Sequence, residues 1–255
     1  MTQQQLGWRA IALAVIVAIS FAANSAFAAL AYADGSNALS VLTLRSTASF
    51  LILYLFLAGN RIPRGLPISQ RVPALALGLV MVASSYGLLG AIEFMPVALV
   101  VITVYTYPIL VACAGWLSGR ELFRPRFAIA LVIAFLGLIF ALDLNGTQSN
   151  TRGIGLASIA ALGVAVLLLA NERIHGGHDS RPFTLHMQGT AMAVFCVASV
   201  LSGQFSLPYT FSGWVGLVCA PLCYAFASVF LFVVLSLFLL LLILCLLLLL
   251  RMQLE

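Results

Sequence analysis

Ionisable and polar side chains are scarce in this chain, so each one inside an apolar run is a candidate for chemistry. Arg45 stands in TLRSTASFL, with uncharged residues from 46 to 60 after it. A guanidinium within an apolar span is costly unless it meets a cavity or a partner, so substrate binding or gating is the role expected of Arg45. The competing reading is a side chain that snorkels to an interface. His186, in FTLHM, could titrate. Asn24 lies midway along an uncharged run and must find a partner in a neighbouring helix or in a substrate. Tyr86, Tyr105, Tyr107 and Tyr224 each offer an apolar face with a hydroxyl, suited to a central cavity or to packing and an interfacial belt. Pro108, in YTYPIL, removes a backbone donor and frees a carbonyl to face a pathway, or simply kinks its helix. Glu121 sits among Arg120, Arg124 and Arg126 and reads as a structural or gating anchor rather than a proton carrier.

Other chemistries find no constellation. There is no Ser/His/Asp set in consistent topology, no phosphate loop and no HExxH, so no enzyme, cofactor or metal site is expected. Cys113, Cys196, Cys219, Cys223 and Cys245 all fall inside apolar runs and read as buried thiols. His175 and His178 belong to ERIHGGHDSR, a solvated connection.

The elements that must position these residues are membrane spans. Of 255 residues, 63% are hydrophobic and 7% charged, and the mean hydropathy is +1.15. Soluble domains carry about 25% charged residues, so a soluble enzyme, a nucleic-acid binder or a disordered linker is excluded. All 12 basic residues are arginine, and the net charge of +5 does not signal nucleic acid because the arginines fall between apolar spans. A span needs about 20 apolar residues. Charge gaps predict helices near 8–32, 38–58, 72–92, 96–118, 125–142, 153–171, 183–203 and 212–235, with a Leu-rich ninth at 237–250. Ala26-Phe27-Ala28 and Ala31-Tyr32-Ala33 resemble signal-peptidase sites. The uncharged run from 10 to 33 is nevertheless long enough to span, which predicts an uncleaved helix.

Arginines cluster on one side of this arrangement. With the N-terminus inside, the same side holds Arg9, the loops bearing Arg61, Arg64 and Arg71, then Arg120, Arg124 and Arg126, then Arg173 and Arg181. The opposite loops hold only Arg152 with Asp34, Glu93 and Asp143. The positive-inside rule predicts a cytoplasmic N-terminus.

The two halves are related. Gly78-Leu79-Val80 recurs as Gly216-Leu217-Val218, Tyr86 as Tyr224 and Phe94 as Phe232, while Leu42-Thr43-Leu44-Arg45 faces Phe183-Thr184-Leu185-His186. If five helices make one repeat, the second copy enters the membrane upside down, a common plan for carriers with a site between the halves. The expected architecture is all-α integral membrane, an inverted repeat of five-helix units on a ten-helix plan with about eight or nine helices present. The expected units are 7–142 and an incomplete 153–250.

The run GLVMVASSYGLLGAIEFMPVALVVITVYTYPILVACAGWLSGRELF resembles the helix 3–4 core of the drug/metabolite transporter superfamily, EamA-like branch. Arg45 matches that family's helix-2 arginine, Pro108 its helix-4 proline and Glu121 the acidic residue at the end of helix 4. The resemblance implies a multi-pass carrier of a bacterial inner membrane that exports small organic metabolites, often amino acids or related compounds, by alternating access. The partners implied are the lipid bilayer, a small-molecule substrate and a possible second copy, with no nucleic acid. The C-terminus departs from the pattern. Residues 231–250 include 13 leucines and no glycine or proline, where a second proline–glutamate helix and a closing helix are expected. That departure carries the alternative expectation, a non-transporting relic or membrane assembly partner that keeps only the fold and by itself transports poorly.

Overall fold

The computed structural model describes residues 3–119, 129, 132–133, 136–137, 150–174 and 180–228. Among these the regular structure is helical throughout. The helices are α1 (Gln3–Ala33), α2 (Ala38–Gly59), α3 (Ile68–Ile92), α4 (Val97–Val104), α5 (Tyr107–Leu117), α6 (Thr151–Ile174), α7 (Ser180–Ser202) and α8 (Phe211–Ser228). Counting Val97–Leu117 as one crossing, seven helical segments are long and apolar enough to span a membrane. This is an all-α, multi-pass membrane protein. The span expected near 125–142 lies outside the described residues except for isolated helical positions, and the Leu-rich segment 237–250 lies wholly outside them.

Local chemistry sets the helix ends. Hydrocarbon offers no partner to backbone polar groups, so uncharged runs must close their hydrogen bonds within the segment. Asn37 starts α2 by accepting the Ser40 amide at 2.9 Å on its side-chain oxygen. Pro67 and Pro96 stand immediately before α3 and α4. The single helix expected over 96–118 is divided instead. Pro108 has no N–H to give the Val104 carbonyl, so the regular ladder cannot pass through it. The chain responds with a tighter turn, the Thr106 amide reaching Thr103 O at 3.3 Å and the Thr106 hydroxyl the same oxygen at 2.7 Å.

Three antiparallel contacts organise the bundle. α3 lies along α6, from Ala74 beside Leu167 and Ala170 to Met95 beside Gly153. α1 lies along α8, from Ala31 beside Gly216 to Val17 beside Ala227. Between them α2 pairs with α7, with Leu53 and Leu57 on Leu185 and Thr43 on Phe195. Lipid tails are as apolar as leucine, so helix association in a membrane depends on close backbone approach rather than on water exclusion. Two glycines supply that approach. A Cβ at Gly87 would lie 2.5 Å from the Leu156 carbonyl oxygen and 2.9 Å from the Ala160 nitrogen. A Cβ at Gly216 would lie 2.6 Å from the Phe27 carbonyl oxygen and 2.7 Å from the Ala31 nitrogen. Gly78, which the sequence repeat aligns with Gly216, meets the Thr190 side chain of α7 instead. The repeat in sequence is therefore not matched glycine for glycine in the packing.

Candidate functional site

The site is layered down the bundle from the end that carries Asp34 and Phe211. At that end the two halves are stitched together. Asp34 accepts the Thr210 amide at 2.6 Å through its carboxylate and the Tyr209 amide at 3.3 Å through its carbonyl. The Ser36 hydroxyl donates to Ser206 O at 3.2 Å, the Asn37 amide group donates to Gln204 O, and the Ser40 hydroxyl accepts the Ser206 amide at 2.9 Å. Glu93 accepts the Ala38 amide at the start of α2, where a carboxylate also complements the helix dipole.

Beneath this latch lies an apolar plug. Ala28 and Ala31 of α1, Val41 and Leu42 of α2, Leu89 of α3, Ala191 and Phe195 of α7, and Leu217 and Ala220 of α8 form one buried cluster. One helical turn further down, α1 presents Asn24, α2 presents Arg45 and Ser46, and α8 presents Tyr224. This layer is polar.

Arg45 is its centre. It is 3% exposed, and its guanidinium carbon sits 4.1 Å from the centroid of the Tyr224 ring. Phe21 of α1 meets that same ring edge-on at 5.8 Å, which fixes the platform on which the cation rests. Among the described residues Arg45 forms no ion pair, and its electrostatic neighbours are Tyr224 and Tyr32. The magnitudes are instructive. An arginine at a helix centre costs about 2.5–3.5 kcal/mol to insert, and a desolvated cation–π contact returns about 2 kcal/mol. Tyr224 offsets most of the burial and, among the described residues, leaves the guanidinium's hydrogen-bonding fork free for an oxyanion.

Orphaned polar atoms lie on the helices of this layer and of its neighbours. Asn24 is 2% exposed, and its side-chain oxygen has no hydrogen-bond partner among the described residues. The same holds for the Tyr32 hydroxyl, and Tyr32 lies within electrostatic reach of Arg45, Glu93 and Tyr86. Further down, the Ser49 hydroxyl, one turn from Arg45 on α2, and the Gln188 carbonyl oxygen of α7 are likewise buried and unpartnered. Buried polar atoms normally find a partner. Orphans of this kind on the helices that hold a buried cation are what a polar ligand would satisfy.

Of the residues singled out in the sequence, the structure brings together Arg45 and Tyr224, with Asn24 one turn along α1 from the Phe21 ring that packs on Tyr224. It leaves the others apart. Tyr86 is 44% exposed and is linked to the group through its electrostatic interaction with Tyr32. Tyr105 is 51% exposed at the α4–α5 break, its ring 6.0 Å from that of Tyr107, and Pro108 is half-buried beside it on helices that pack against α6. His186 bonds through Nδ1 to its own helix, at 2.9 Å from Pro182 O, next to Leu185 at the Leu53–Leu57 end of α2. Glu121 lies outside the described residues. Sequence reasoning missed Tyr32, Ser49 and Gln188. The signal that could have found them was a polar residue inside a charge-free span, which applied to them as much as to Asn24.

No group of three or more histidine, cysteine or acidic side chains among the described residues could hold a metal ion. In comparison with known proteins, the family model of the EamA-like transporter family matches residues 8–142. No curated protein matches the chain.

Proposed function

Because the chain belongs to the EamA-like transporter family, and is thus a membrane transporter of the drug/metabolite type, we propose that it moves small organic metabolites, amino acids or related compounds, outward by alternating access. Two units, 7–142 and 153–250, act as inverted halves, and the substrate passes between them through the layer of Arg45, Asn24 and Tyr224. Pairing of α1 with α8 and of α3 with α6, together with antiparallel α2 and α7, supports that reading, since each contact joins one half to the other. The observation that carries it is the Arg45 guanidinium, from the first half, resting on the Tyr224 ring of the second. A cation held across the junction couples a bound solute to the relative position of the halves.

The arginine distribution supports a cytoplasmic N-terminus, which sets the latch of 34–40 and 203–213 at the outer face. In that orientation the latch and the plug below it close the outer side of the site. Transport then requires both to part while the opposite end closes. The test is efflux from cells and uptake into inverted membrane vesicles, each compared with membranes lacking the chain, using a mixture of labelled metabolites. Accumulation that depends on the chain is expected, and its absence for every component would overturn the proposal. Topology is checked separately with a cysteine at position 64. Rapid labelling from outside intact cells would reverse the orientation.

A further inference from the structure

The chemistry around Arg45 also discriminates between substrate classes, an inference that rests on the transport reading above. A buried guanidinium offers a planar fork of N–H donors, the geometry that carboxylates fill with two parallel hydrogen bonds. Tyr224 covers one face of that fork and leaves its edge unspent, because among the described residues Arg45 makes no ion pair. Among the described residues, no acid stands among the electrostatic neighbours of Arg45 to receive a second, cationic group. Glu93, the acid within reach of Tyr32, belongs to the latch end of the plug, where one of its oxygens accepts the Ala38 amide. What α1 offers on this side instead are neutral acceptors, the Asn24 side-chain oxygen and the Tyr32 hydroxyl, both buried and without a hydrogen-bond partner among the described residues. Neutral acceptors take a hydroxyl as readily as an ammonium.

We propose that Arg45 is the anion-binding residue of the transport site, and that its substrates are small organic carboxylates in which the carboxylate is required and an amino group is dispensable. The carboxylate pairs with the Arg45 fork, while an adjacent hydroxyl or amino group donates to Asn24. On this reading a 2-hydroxy acid binds as well as the amino acid of the same carbon frame, and the amide of either does not bind.

The full chain in phosphatidylcholine nanodiscs tests this by thermal unfolding. The probes are the 2-hydroxy acid, the amino acid and the two corresponding amides, on methyl, isobutyl and benzyl frames. On at least one frame both acids should raise Tm by about 2–4 °C once present at roughly ten times Kd, with no shift from the amides. Arg45→Gln should abolish the shift, and Arg64→Gln, which alters only the surface pair with Tyr54, should keep it. Arg45→Lys keeps a charge but loses the fork and should weaken Kd by about tenfold, which serves as the test if the glutamine variant fails to fold. Amides that protect as well as acids, protection that survives Arg45→Gln, an unchanged Kd in Arg45→Lys, or no protection by any acid would each overturn the proposal. So would an Arg45-dependent gain from phosphatidylglycerol in the nanodisc that leaves the acids without effect, since the oxyanion would then be a lipid headgroup. Arg45-dependent protection without accumulation in vesicles would sink the transport reading and leave the anion site standing. Accumulation of amines or amides in vesicles, unaffected by Arg45→Gln, would do the reverse.

Discussion

α2 and α7 pair antiparallel at the middle of the bundle and carry aligned sequence segments, yet they treat their ionisable residue in opposite ways. On α2, Arg45 is buried and turned away from its own helix onto a ring supplied by α8. On α7, His186 is half-buried and closes a hydrogen bond with the carbonyl of Pro182 one turn earlier. A side chain that satisfies itself locally adds little to what its helix can do across an interface. One that must look elsewhere couples two helices and leaves capacity for a third party. The scaffold around them is, by contrast, even-handed, since Gly87 brings α3 onto α6 with the same backbone approach by which Gly216 brings α8 onto α1. The halves share a way of packing and differ in chemistry.

That comparison can be broken at the scaffold first. Gly87→Leu and Gly216→Leu each push a side chain into partner backbone that has no flexible end to yield. Each should cost about 3 kcal/mol or more, read as loss of the folded monomer in detergent unfolding, because overpacking of this kind typically costs about 1–3 kcal/mol even where neighbours can move. Equal losses at the two glycines would support an equivalent scaffold, and tolerance at one alone would end it. The chemistry comes next. Arg45→Ala should lower transport by about tenfold to a hundredfold, the loss of a charged hydrogen-bonding group, while membrane insertion persists. His186→Ala should change transport by less than about twofold, since the imidazole's hydrogen bond among the described residues stays within its own helix.

Finer cuts sharpen the role of the platform. Tyr224→Leu removes the ring beneath the guanidinium and should weaken binding by about fivefold to thirtyfold, the value of a desolvated cation–π contact. Tyr224→Phe retains the face and should lie much nearer to the parent. If the two variants fall together, the hydroxyl matters and the ring does not. The smallest effect belongs to the latch. Ser40→Ala deletes the acceptor of the Ser206 amide, worth about 1 kcal/mol, and should favour opening at that end by about fivefold. Faster alkylation of a cysteine placed in the plug, for example Leu217→Cys, would report it.

The spans were legible because a bilayer crossing demands an uncharged run of about 20 residues, and water-facing chain seldom goes that far without a charge. Arg45 was legible because a lone cation in such a run must be accounted for. Asn24 and Tyr224 were legible as types, though not as companions of Arg45. That fact depends on how α1, α2 and α8 are rotated against each other, and near-uniformly apolar helices carry little periodicity from which to read a face. The same ambiguity hid Tyr32, Ser49 and Gln188, whose spans gave no sign of which side they present. Pro108 announced a disturbance but not its place. The break falls two to three residues earlier, at Tyr105 and Thr106, because a proline costs the helix the bond to the carbonyl four residues before it. The latch was invisible, since residues 34–40 and 203–213 lie far apart in the chain and their serines and asparagines look like any polar turn.

The latch has one further property, visible in who donates what. The side chains that bridge it come from the first half, namely Asp34, Ser36, Asn37 and Ser40, and the groups they grip in the second half are main chain, at residues 204, 206 and 210. Main-chain atoms are the same whatever residue carries them. Substitution should therefore be permissive at Gln204 and Ser206 and restrictive at Asp34, Ser36, Asn37 and Ser40, with Thr210 held back by its own hydroxyl, which accepts the Gly213 amide at the start of α8, so a saturation scan of the two loops would return a lopsided map. One loop holds the vocabulary, and the other needs only to keep its shape.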